Sequence, residues 1–180
     1  YSTQANDLQD IITGDEYGRL PLHNALRGGA PLGSIKMMVQ AHVPTLLMPD
    51  SNGALPLHTA FEHHGCPNVG QYLLEQDARS LLLADCQGNT PLHCACRLAK
   101  FDAIAMLVNE YPTAAVATTN ANMHLPIQLL LANNHSHHDQ ESAGFVSSIY
   151  LLLRANPESL MNDMEITLEM ARLSISGDII

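Results

Sequence analysis

The chain has 180 residues, with 18 acidic against 8 basic side chains, a formal net charge of −10 and only 14% charged residues in all. That balance excludes a binder of nucleic-acid backbones working through an overall basic footprint, and no apolar run in the chain approaches the ~18 residues of a membrane span. The length suits one domain, and with tryptophan absent and aromatics at 4% the expected core is Leu, Ala, Met and Ile in short, closely packed helices.

Residues 1–14 read as the tail of a repeat, because Asp10-Ile11-Ile12-Thr13-Gly14 stands where Ser80-Leu81-Leu82-Leu83-Ala84 stands before Asp85. The first residues, including Asp7 and Asp10, lack the basic and apolar parts of a signal peptide. The start at Tyr1 predicts a fragment or a processed product of a longer chain.

The first full repeat, 15–49, opens with a tight turn at Asp15-Glu16-Tyr17-Gly18-Arg19. Aspartate bonds its own following backbone there, and glycine accepts a positive φ. A short helix is predicted from Pro21 to about Arg27, striped by Leu22, Ala25 and Leu26. A second is predicted from about Ser34 to Ala41, with Ile35, Met38 and Val39 on one face and Pro44 as its stop. The second repeat, 50–84, follows the same plan: Asp50 to Gly53 for the turn, Leu57, Ala60 and Phe61 on the first helix, Val69, Tyr72 and Leu73 on the second.

The third repeat, 85–119, is the most complete copy. Asp85-Cys86-Gln87-Gly88-Asn89-Thr90-Pro91-Leu92-His93-Cys94-Ala95 holds a turn, a good N-cap in Thr90, a proline at the first helical position and the start of an apolar stripe. Ile104, Leu107 and Val108 stripe its second helix, and Tyr111-Pro112 ends the unit. The fourth repeat, 120–160, departs most. Met123 replaces the turn glycine, so a positive φ there costs about 1 kcal/mol or forces another turn. Gln128 replaces the histidine, a long loop follows at 133–144, and a strong helix is predicted from Phe145 to Arg154. Residues 161–180 begin a further copy, with Thr167 at the proline position.

The four signature prolines are 21, 56, 91 and 126, in equal steps of 35. No predicted helix exceeds about ten residues, and none of that length is stable alone in water. Each unit must therefore stack on its neighbours to bury its apolar face. Leu20, Leu55 and Leu125 stand where Thr90 supplies a cap. Each forfeits roughly 0.5–2 kcal/mol, to be recovered as apolar contact.

The repeated Asp-x-x-Gly-x-Thr-Pro-Leu-His-x-Ala pattern resembles that of the ankyrin repeat family. It is complete at 85–95, lacks only the threonine at 15–25 and 50–60, and is weak at 120–130. The resemblance covers about residues 8–175, with a period of 35 where the family's is usually ~33. It implies an all-α fold: one ankyrin-type α-solenoid of stacked β-turn/helix-loop-helix repeats over 1–180. It further implies a non-catalytic protein–protein interaction module, a monomeric scaffold, binding through a concave surface of turn "fingers" and first helices. Carried over by position, that surface is Glu16, Tyr17, Arg19, Arg27, Ser51, Asn52, Glu62, His63, Gln87, Asn89, Arg97, Asn122, His124 and Asn133. Cys86, Ala54, Ala121, Leu98 and Ala132 fall at related positions. Tyr and Arg are frequent binding hot spots. Arg19, Arg27 and Arg97 therefore suggest a local basic strip suited to an acidic or phosphorylated segment of another protein.

The other chemistry in the chain is weaker. His23, His58 and His93 occupy the signature position, where the resemblance implies that they brace the turns. On separate repeats, they would lie roughly 10 Å apart, too far for one metal. His135, His137 and His138, with Asp139 and Glu141, form a candidate chelating loop and so an alternative, metal-linked role; His63, His64 and Cys66 form a lesser cluster. The four cysteines (66, 86, 94, 96) have no CxxC spacing and read as reduced thiols of an intracellular protein, cytoplasmic or nuclear. Met37, Met38, Met106, Met164 and Met170 read as core. There is no GxSxG, P-loop, HExxH or GxGxxG, so neither an enzyme nor a cofactor is expected. A further alternative is a regulatory domain within a longer enzyme or channel.

Overall fold

Pro21, Pro56, Pro91 and Pro126 each open a short helix, as their spacing predicts. The structure, a computed structural model, describes residues 10–63, 67–112, 119–133 and 142–157. Its helices are α1 (Pro21–Arg27), α2 (Leu32–Ala41), α3 (Pro56–His63), α4 (Pro67–Gln76), α5 (Pro91–Arg97), α6 (Phe101–Glu110), α7 (Pro126–Asn133) and α8 (Ser142–Ala155). Short 3-10 turns follow α2 and α4, at Val43–Leu47 and Ala78–Leu81. There is no strand among the described residues, so the all-α expectation holds. None of their helices is long and apolar enough to cross a membrane.

The chain divides into two compact units, Tyr1–Pro91 and Leu92–Ile180. In the first, α1 packs on α3 and α2 on α4, so first helices form one row and second helices another. Leu22, Leu26, Ile35, Val39, Leu57, Phe61 and Leu73 are buried there. In the second unit, α8 packs against both α6 and α7. Leu92, Ala95, Ile104, Leu107, Leu130, Ile149 and Leu152 are buried in it.

Four local expectations are corrected. The helix α2 starts at Leu32, two residues early, because Pro31 is extended and its carbonyl accepts from the N–H groups of Ser34 and Ile35. The helix α8 starts at Ser142 and spans 14 residues, longer than any helix expected. Gly144 is accommodated inside it because an added Cβ would lie 2.9 Å from the Phe101 ring; the close approach of α8 to α6 needs that glycine. Met37 is 73% exposed, since two positions beyond buried Ile35 lies the opposite side of a helix. Leu20 and Leu55 are buried, as the loss of a polar cap requires, whereas Leu125 is only half-buried.

The fourth turn keeps its shape without its glycine. Met123 adopts φ 63°, against 69°, 74° and 74° for Gly18, Gly53 and Gly88. Ala99, at φ 50°, is strained in the same way at the end of α5. There the N–H of Ala99 bonds the Cys96 carbonyl and that of Lys100 bonds the Ala95 carbonyl, the pattern Gly29 and Ala30 make after α1. Met123→Gly removes roughly 1–2 kcal/mol of strain and returns roughly 0.5–1 kcal/mol as unfolded-chain entropy. With the Met123 side chain 74% exposed, little burial is lost. Met123→Gly and Ala99→Gly are each expected to stabilise by about 0.5–1 kcal/mol, as a higher urea midpoint; a lower midpoint in both would contradict the strain.

Candidate partner-binding surface

Each finger is built by one side-chain oxygen. Asp15 Oδ1 accepts from the N–H groups of Tyr17 and Arg19, both at 2.9 Å. Asp50 Oδ1 does the same for Asn52 and Ala54 (2.8 and 2.9 Å), and Asp85 Oδ1 for Gln87 and Asn89 (2.8 Å each). In the fourth finger Asn120 Oδ1 takes the place of the carboxylate, at 3.0 Å from the N–H groups of Asn122 and His124. Burial works to raise the Asp15 pKa, but the Arg19 N–H, the Asn24 amide and the Tyr17 N–H outweigh it and hold the carboxyl below its ordinary value.

Within the first unit the fingers are bonded to one another. The Ser51 N–H donates to the Tyr17 carbonyl at 3.0 Å, and the Cys86 N–H to the Asn52 carbonyl at 2.9 Å. That approach leaves no room for a side chain on the turn glycines. A Cβ on Gly18 would lie 2.9 Å from the Ser51 nitrogen, and one on Gly53 2.9 Å from the Cys86 nitrogen.

His23 and His58 carry two bonds each. His23 Nδ1 accepts from the Leu20 N–H at 3.2 Å, and His58 Nδ1 from the Leu55 N–H at 3.1 Å. An acceptor at Nδ1 assigns the proton of the neutral ring to Nε2. Nε2–H then donates to the Ala54 carbonyl from His23 and to the Asn89 carbonyl from His58, each at 3.0 Å. In the second unit His93 Nε2 meets the His124 carbonyl at 3.2 Å. The His23 and His58 rings thus join their own helix starts to the next finger, and His93 reaches the next finger likewise. Burial pushes the His23 and His58 pKa values below the ordinary one, although the carbonyl partners oppose it. Gln128 makes the first bond in place of a histidine, its Oε1 accepting from the Leu125 N–H at 2.6 Å. A residue at the third helical position reaching back to the N-cap N–H is half of a capping box, and glutamine suits it.

On this frame the tips Glu16, Tyr17, Ser51, Asn52 and Gln87 are exposed in the first unit, and Asn122 and His124 in the second. Arg27 and Arg97 are exposed at the ends of α1 and α5, and Glu62 and His63 are half-buried at the end of α3. Asn133 closes α7. Asn89 departs from the expected exposed tip. It is 3% exposed, and its amide donates to Asp85 Oδ2 and Gln87 Oε1 at 3.2 Å each, so it serves the turn. His135, His137, His138, His64 and Cys66 lie outside the described residues, among which no group of three His, Cys, Asp or Glu could hold a metal. Cys86 is exposed, Cys94 and Cys96 are buried, and all three are free thiols; burial pushes the Cys96 thiol far up.

One constellation escaped the sequence. The Arg19 guanidinium lies 4.2 Å over the Tyr17 ring, and its Nε donates to Asp15 Oδ2 at 3.2 Å. Asn24 donates to the same oxygen at 3.2 Å. The spacing of Asp15 and Arg19 held the signal, because a turn bonded from the Asp15 N–H to the Arg19 carbonyl sets the two side by side. Arg19 is therefore a pre-ordered, partly neutralised cation; Arg27 shares its unit, whereas Arg97 belongs to the other.

A family model described as ankyrin repeats (3 copies) matches residues 38–120. No curated protein matches the chain significantly.

Proposed function

Since residues 38–120 match ankyrin repeats, generally protein–protein interaction modules, we propose that the chain binds another protein through its fingers and first helices, without catalysis. The observation that carries this reading is the contrast between fingers: the same backbone bonding repeats while the tips change from Glu16 and Tyr17 to Ser51 and Asn52 to Cys86 and Gln87. Tyr17 and Arg19 form the anchor. Arg19 spends Nε on Asp15, and among the described residues the edge carrying Nη1 and Nη2 makes no hydrogen bond. That edge suits two oxygens of a carboxylate or phosphate, while the Tyr17 ring, 53% exposed, offers apolar area. The partner on this reading carries an acidic or phosphorylated segment, and Arg27, Ser51 and Asn52 flank the anchor in the same unit. In the second unit Arg97, Asn122, His124 and Asn133 take the corresponding positions. The setting is intracellular, where the thiols stay reduced, and the chain acts as a monomer.

The test is capture from native lysate by the wild type and by Tyr17→Ala/Arg19→Glu, each checked for an unchanged thermal melt. Proteins held by the wild type and lost from the double variant by about tenfold or more support the surface. An identical captured set rejects it.

A further inference from the structure

Between the C-terminal ends of α6 and α8, inside the second unit, lies a hollow of about 260 Å³. The described residues that line it are Val108, Asn109, Pro112, Leu151, Arg154 and Ala155. Four of these are apolar, and the two polar ones are both donors of N–H bonds. Neither has an intramolecular partner: among the described residues the Arg154 guanidinium makes no hydrogen bond or ion pair, and the Asn109 carboxamide makes no hydrogen bond. The contrast with Arg19 and Arg79 is direct, for those are held by Asp15 and Asp77, the latter at 2.6 Å. Tyr150 precedes Arg154 by four residues, hence on the same side of α8, and is 60% exposed.

We propose that this groove binds an acidic, leucine-bearing peptide segment, with an aliphatic side chain in the hollow and a carboxylate on Arg154 and Asn109. Size selects the anchor. The volume is below the roughly 300–1,000 Å³ of drug-sized ligand pockets, so it takes one or two side chains and no larger cofactor. Chemistry selects the flanking group. Two N–H donors beside an apolar seat need oxygen acceptors, and the guanidinium fork matches a carboxylate bidentately. Net attraction is not the source of the preference. The α6 and α8 C-termini each bring about half a negative charge, which one guanidinium balances. Directional, charge-assisted bonds and the apolar seat carry the affinity, so salt weakens it only modestly. Glu110, the acid nearest in sequence, is not among the lining residues.

The probe is a fluorescein-labelled decapeptide with a central Leu-Leu pair flanked by glutamates, read by fluorescence anisotropy. The wild type is expected to bind it saturably at about 100 μM, and Arg154→Gln at least about fivefold more weakly. Replacing the peptide's glutamates by glutamines is expected to cost a similar factor, and replacing its leucines by serines to abolish saturation. Arg19→Glu, on the finger surface, leaves the affinity unchanged; this separates the groove from the binding surface proposed above. Arg154 is exposed, so its variant keeps the wild-type melt, which is checked. Three results overturn the groove: no saturation of the wild type below about 1 mM, equal affinity for Arg154→Gln, or loss on Arg19→Glu with none on Arg154→Gln.

Discussion

His58→Gln is expected to make the protein less stable at neutral pH and less sensitive to acid. The wild-type ring is neutral when folded, with Nδ1 filled by the Leu55 N–H and Nε2–H given to the Asn89 carbonyl. Its folded pKa lies below the unfolded one, the result of burial. The sign follows: below about pH 6.5 the unfolded chain binds the proton and the folded chain resists it, so stability is full above that pH and lost as pH falls. His23, lowered in the same direction by its own burial, adds to the same fall. Glutamine keeps the bond to the N-cap, as Gln128 does to Leu125, but gives up the cross-repeat bond. The variant should lose about 1–2 kcal/mol at about pH 7.5 and show a shallower fall toward about pH 5. Urea unfolding of both proteins across that range measures it. Equal slopes would remove His58 from the acid response.

The second large effect is at Gly53. Gly53→Ala forces a Cβ onto φ 74° and places it 2.9 Å from the Cys86 nitrogen. The left-handed conformation costs roughly 1–2 kcal/mol, and disturbing the Asn52–Cys86 bond between fingers roughly 1 kcal/mol more. A loss of about 2–3 kcal/mol is expected, or about 4–12 °C in Tm for a chain of this size. Met123 provides the control. It bears a side chain at φ 63° in a turn of the same bonding, so the backbone tolerates the strain when it must. Gly53→Ala should therefore exceed the Met123 strain by the cost of the finger contact. A loss no larger than that strain would mean the fingers part easily.

The repeat itself was legible because each of its residues has a chemical reason to stand where it does. Aspartate staples the turn, glycine takes the positive φ, proline opens the helix and histidine reaches back to its start; a period of 35 multiplies that signal fourfold. What was not legible depends on which neighbour a side chain meets. Asn89 occupies a tip position by number, yet its amide turns inward onto Asp85 and Gln87. The environment of Arg19 is likewise set by contacts, with Asp15 bonded to its Nε and the Tyr17 ring beneath it. The early start of α8 was hidden because Gly144, its third residue, reads as loop, whereas the Phe101 ring against it accounts for the glycine. Position 128 was taken as a loss of the histidine, whereas the structure keeps its bond through a different atom.

The staple of each finger has a consequence for substitution at its tip. Asp15, Asp50, Asp85 and Asn120 hold their turns through backbone N–H groups, which every tip residue except proline possesses. The identity of Tyr17, Asn52, Gln87 or Asn122 therefore does not enter the bond that shapes the loop. On the binding role proposed above, substitutions at these tips leave the staple intact and change the presented surface. The exchange of aspartate for asparagine at 120 shows that even the staple admits a neutral substitute with the same oxygen. The bond that shapes each loop and the side chain the loop presents are thus carried by different atoms.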